Sequence, residues 1–182
     1  MQESSKSLSV GSLAVKPVSF VFATGSSWLD RLVTRVTRSP WSHVAMRFDA
    51  DNLLVETLAG RGFLTGAGDK YAGWTSSSVI SRQVQDEIYD EMLTLSRRWQ
   101  AAAPHYGYAT CLAIGIKELF GRRAGYAALA WLPAGSANTL VCSEMLVILW
   151  RLAEPDFLQG QDPRLVSPDQ LFQTLLQGSV AD

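Results

Sequence analysis

Cys142 is the residue of this 182-residue chain best placed to do covalent chemistry. It stands in Thr139-Leu140-Val141-Cys142-Ser143-Glu144-Met145-Leu146, where apolar residues begin to recur at helical spacing. With Thr139 as N-cap, the cysteine falls about three residues into a helix, where backbone N–H groups lack intrahelical acceptors and the macrodipole is positive. That field favours thiolate over thiol. The same N–H groups suit a developing oxyanion. Taken alone, a cysteine here is more often a small core residue, so a base must be found elsewhere.

Ser42-His43-Val44-Ala45-Met46-Arg47-Phe48 and Leu53-Leu54-Val55-Glu56-Thr57-Leu58 are strand-like runs joined by the polar turn Asp49-Ala50-Asp51-Asn52. In this hairpin Phe48 pairs with Leu53, Ala45 with Glu56 and His43 with Leu58. Val44, Met46, Phe48, Leu53, Val55 and Thr57 then share the core face. His43 and Glu56 become diagonal neighbours on the other. A carboxylate beside an imidazole fixes its tautomer and stabilises the imidazolium, as a cysteine nucleophile requires of its base. The same pair also suits a solvated sheet face. His105, beside Pro104 between two helices, competes as base but reads better as a turn residue.

The elements that must position these residues follow in order. Residues 1–16 form a Ser-rich lead-in, and residues 17–182 a single domain. A buried strand over residues 18–23 precedes a helix from Trp28 to about Val36, capped by Ser26 or Ser27. After the hairpin, residues 60–74 hold five glycines and read as an irregular loop. A strand over 79–84 leads to a helix over 86–103, stopped by Pro104, and an apolar helix over 109–120. Residues 121–138 read as a second irregular stretch. The Cys142 helix runs to about Ala153, with Glu144 supporting its start. Ser167, Pro168 and Gln170 mark a last helix as N-cap, N1 and capping-box partner.

With 47% hydrophobic and 18% charged residues the chain is globular. Its net charge of −1 offers no electrostatic footprint for nucleic acid or an anionic membrane surface. Two cysteines, Cys111 and Cys142, provide neither a disulfide framework nor zinc-ligand spacing. No metal or cofactor is expected. No apolar run reaches the roughly 20 residues of a membrane span, and no signal-peptide pattern precedes Lys16. The expected location is cytoplasmic, with non-Sec secretion or lysis as routes out.

The order of strand, helix, Ser42-His43-Val44 hairpin with Glu56 on the return strand, glycine stretch, strand, helix, Tyr106-x-Tyr108, helix and Leu140-Val141-Cys142-Ser143-Glu144 resembles the circularly permuted branch of the NlpC/P60 papain-like superfamily, the YiiX/YaeF-like group. The resemblance spans residues 18–176. It implies an α+β, papain-like fold, a central antiparallel sheet packed against helices with the nucleophile at a helix N-terminus. It further implies Cys142 as nucleophile, His43 as base and Glu56 as the residue orienting it, with Tyr106 and Tyr108 on the substrate side.

Three functions are compatible with these residues. The first is a cysteine hydrolase of amide bonds, as in a cell-wall peptide. The second uses the same triad on a lipid ester or thioester, as acyl hydrolase or acyltransferase. The third is a catalytically silent papain-like binding module. An apolar tunnel ending at Cys142 favours lipid; a polar open groove favours peptide.

Overall fold

The computed structural model describes residues 14–71, 77–131 and 138–178. They form six helices and a five-stranded, wholly antiparallel sheet, an α+β arrangement. The sheet comprises β1 (Val15–Ala23), β2 (His43–Phe48), β3 (Leu53–Leu58), β4 (Gly62–Ala67) and β5 (Ser77–Gln85), in the order β4-β3-β2-β1-β5. Val15 and Lys16 already belong to β1, drawn in by pairing with Gln85 and Val84. Ala14 precedes the strand, its carbonyl accepting the Asp86 N–H at 3.1 Å, and residues 1–13 of the expected lead-in lie outside the described residues.

The β2–β3 hairpin takes the predicted register, Phe48 to Leu53 and Met46 to Val55. The ladder stops there, short of the expected Ala45–Glu56 and His43–Leu58 pairs. Asp49–Asp51 form a single 3-10 turn, and Asn52 closes it in the left-handed region at φ 49°, which a short polar side chain tolerates well.

Alternation along the central strands creates two faces. On one, Val18, Phe20, Phe22, Val44, Met46, Phe48 and Val55 are buried against Met145, Leu146, Leu149 and Trp150 of α5 (Cys142–Trp150) and Tyr89 and Met92 of α2 (Asp86–Ala102). Burial of such side chains stabilises by about 1.5–3 kcal/mol each. The Phe20 and Trp150 rings meet edge-on at 5.1 Å, a favoured aromatic geometry. On the other face Val21, Ala23, Ala45, Leu54 and Tyr71 form a smaller cluster. The face carrying His43 and Glu56 is therefore covered, and not a solvated surface.

Two expected irregular stretches contain regular elements. Within residues 60–74, β4 pairs with β3 from Leu53–Ala67 to Leu58–Gly62. Gly62 makes this edge possible: φ is +74°, and a Cβ there would lie 2.3 Å from the Pro104 carbonyl oxygen. Within residues 121–138, α4 (Arg122–Trp131) packs on α3 (Tyr108–Phe120). Its alanines at 124, 127, 128 and 130 are strong helix formers.

α1 (Trp28–Thr37) is capped by Ser27, whose Oγ accepts from the Asp30 N–H at 3.1 Å while Asp30 Oδ2 accepts from the Ser27 N–H at 3.0 Å. α6 (Pro168–Gly178) begins after Ser167, whose Oγ accepts the Gln170 N–H at 3.3 Å. The Gln170 side chain does not close the expected box; it accepts from Lys117 Nζ at 2.8 Å and donates to Gln161. No described helix is long and apolar enough to cross a membrane.

Candidate functional site

The nucleophile candidate arrives at its position through two short strands. β6 (His105–Tyr106) and β7 (Thr139–Leu140) pair in parallel, with the His105 N–H on the Asn138 carbonyl at 2.9 Å. That pairing holds Thr139 extended, so it is not the N-cap. The cap is Val141 (φ −107°, ψ 161°), which places Cys142 at the first helical position. α5 then ends at Trp150 instead of Ala153, where i→i+3 bonds such as Ala153 N–H to Trp150 C=O replace the α pattern. Val has no side-chain acceptor, so the start is tied from the other side: Glu144 Oε2 accepts the Val141 N–H at 3.3 Å. This is the supporting role expected of Glu144. Burial pushes its carboxyl up to about 7.

His43 opens β2, next to this helix start. The Cys142 thiol is close enough for each group to govern the other's ionisation, and His43 Nε2 lies 3.1 Å from Glu56 Oε2. Nδ1 is thus the ring nitrogen left for the thiol. Burial works against the imidazolium, but the hydrogen bonds to Cys142 and Glu56 outweigh it and raise His43 to about 9. The Cys142 thiol, 4% exposed, experiences the reverse balance. Burial raises its pKa, while His43 and the backbone N–H groups of Val44 and Ser143 lower it further than burial lifts it. A thiolate–imidazolium pair is the species this balance favours.

Two residues without an assigned role in the sequence complete the cluster. Glu56 also accepts from Lys70 Nζ and, at 2.5 Å, from the Tyr71 hydroxyl. Burial raises the Glu56 carboxyl, and the bonds from His43, Lys70 and Tyr71 overcome that and bring it to about 2. Tyr71 also stacks obliquely on His43, ring centroids 5.9 Å apart. Their only signal in the sequence is a position in a glycine-rich stretch following the histidine hairpin.

A cavity of about 350 Å³ opens at Cys142, within the usual size range of small-molecule pockets, about 300–1,000 Å³. Leu29, Leu32, Val33 and Val36 of α1 face Leu112, Ile116 and Leu119 of α3 across it. Tyr106 and Tyr108 both line it, with rings edge-on at 5.2 Å. Tyr106 Oη is 3.1 Å from Cys111 Sγ. Burial pushes the Cys111 thiol up to about 12, despite the Tyr106 contact. Cys142 and Cys111 thus share a cavity with opposite tendencies to ionise. His105 is exposed in β6 and absent from this cluster.

No protein-family model and no curated protein matches this chain.

Proposed function

We propose that the protein is a cysteine-dependent acyl hydrolase or acyltransferase whose substrate carries an aliphatic chain. The observation that carries this reading is the aliphatic wall of the cavity at Cys142. A peptide needs hydrogen-bond partners for its backbone amides, which Leu, Val and Ile side chains do not supply. An acyl chain needs none. The amide-hydrolase chemistry is otherwise the same, and the order of the Cys142, His43 and Glu56 segments supports a permuted NlpC/P60 papain-like relationship.

In this account His43 takes the Cys142 proton, and Sγ attacks the acyl carbonyl carbon. The oxyanion is held by the Cys142 N–H at the helix start, a position without an intrahelical acceptor. The imidazolium donates its proton to the leaving oxygen, sulfur or nitrogen as that bond breaks, leaving an acyl thioester on Cys142. Water, or an acceptor nucleophile, then gives its proton to His43 and attacks the thioester. The acyl group departs and the thiol is restored. Glu56 stays anionic and holds the imidazole.

A series of acyl thioesters of increasing chain length tests this. Each methylene entering the cavity contributes about 0.8 kcal/mol, so kcat/KM rises about fourfold per carbon until the cavity is filled. Turnover confined to peptides, with no acyl intermediate on Cys142 detectable by mass spectrometry from any fatty thioester, would overturn the proposal.

A further inference from the structure

The rim of the cavity is itself exposed. Leu32, Tyr108, Leu112 and Leu119 line the cavity and are yet 48–59% accessible. Phe120 follows Leu119, and Trp28, one turn before Leu32 on α1, is 71% exposed. Large side chains gathered in one exposed patch mark an interaction surface. α1 buries none of its residues, so its apolar face only walls the cavity.

Charge accompanies this face in a particular order. At 3.6 residues per turn, Arg31 and Arg35 form the row beside Trp28 and Leu32. Arg38 continues it at the C-cap, and all three are exposed. The one acid of α1, Asp30, is held by Ser27 and by Ser42 Oγ at 2.7 Å. Arg123, three residues after Phe120, is exposed as well, whereas Arg122 turns to the Gly160 carbonyl at 3.1 Å. Glu118 is paired with Lys117 at 2.9 Å. The net charge of −1 conceals this local excess of cations.

We infer that α1 and the rim of α3 dock on an anionic phospholipid bilayer, with Trp28 and Leu32 entering the interface and Arg31 and Arg35 meeting headgroup phosphates. Aromatic and aliphatic residues beside a row of arginines are the pattern of helices that lie in a bilayer surface. Docked this way, the cavity mouth opens toward the acyl chains. The lipid source rests on the acyl-substrate reading above, whereas the measurement of docking does not.

Co-sedimentation of Cys142→Ala with vesicles reads docking without turnover. Binding is expected to vesicles of equal parts phosphatidylcholine and phosphatidylglycerol, to weaken as salt is raised, and to be far weaker on phosphatidylcholine alone. Arg31→Gln with Arg35→Gln lowers the partition about fivefold per arginine, and Trp28→Ala lowers it on both lipids. None of these three residues lines the cavity, so hydrolysis of a short soluble thioester by the otherwise wild-type enzyme is unchanged. No binding to anionic vesicles, or binding indifferent to lipid charge and to these substitutions, overturns the inference. A concentration-dependent dimer abolished by Trp28→Ala, without vesicle binding, overturns it in favour of a second copy as the occupant.

Discussion

Glu56 grips His43 Nε2 at 3.1 Å from a strand whose ladder to β2 has already ended at Met46–Val55. His43 is therefore held on the β1 side by strand pairing with Ala23 and on the β3 side by the Glu56 side chain, which is in turn held by Lys70 and Tyr71.

Weakening this support has a graded cost. Glu56→Gln keeps the size of the side chain but loses the charge that stabilises the imidazolium, and lowers kcat/KM by roughly 10²-fold, within the range of acid–base contributions. Cys142→Ala and His43→Ala abolish turnover with the fold intact by circular dichroism. Tyr71→Phe and Lys70→Gln each remove one donor from Glu56. Each leaves more of the Glu56 charge to act on the imidazolium, so the alkaline limb of the pH–rate profile, which reports His43, moves to higher pH. A profile unmoved in both variants would show that Glu56 needs neither donor.

Much of this was legible in the sequence. The hairpin register as far as Met46–Val55, the core face of β2 and β3, a serine cap at 26 or 27 and the meeting of His43 with Glu56 all follow from period-two alternation and local capping and turn chemistry. Properties set by distant pairing were not. β4 is a strand because β3 offers it a ladder, and its glycines hide the alternation. Thr139 fails as N-cap because β6 holds it extended. Lys70 and Tyr71 join the site through a chain reversal that no local pattern encodes. The cavity exists because α1 leans on α3, and neither helix reveals that alone.

The cavity gives a specificity test. Gly115 lines it on α3, and a Cβ there meets only Val36 Cγ1, at 3.7 Å, an ordinary contact. Gly115→Leu fills space between α1 and α3 while replacing a helix-interior glycine, a change that itself favours the helix by about 0.5–1 kcal/mol. The variant is expected to keep its melting temperature and its rate on short acyl thioesters, and to lose long-chain turnover by at least about tenfold, the effect of two excluded methylenes.

Glu144 imposes a pH dependence on stability. Its folded pKa, about 7, exceeds the ordinary 4.5, so the folded chain holds a proton that the unfolded chain has released. The contribution is full below 4.5 and is lost as pH rises through 7. Glu144→Gln keeps an acceptor for the Val141 N–H without titrating. In calorimetry its melting temperature gains on the wild type as pH rises across that window. A constant difference would contradict the burial of an ionisable Glu144.

His43 and Glu56 work in other windows. Glu56, lowered to about 2, stabilises above 4.5 and loses that contribution as pH falls through 2. His43, raised to about 9, stabilises below 6.5 and loses its contribution as pH rises through 9. Turnover, which needs the imidazolium as acid, is expected to decline above about pH 9 in the wild type.

An activated thiolate at Cys142 is tested by the pH dependence of iodoacetamide labelling, with Cys111 in the same digest as internal control. Rapid labelling of Cys142 is expected well below the ordinary thiol value of 9, slowed strongly in His43→Ala, while Cys111, pushed up to about 12, stays nearly inert. Equal, slow labelling of both cysteines, unchanged by His43→Ala, would contradict it.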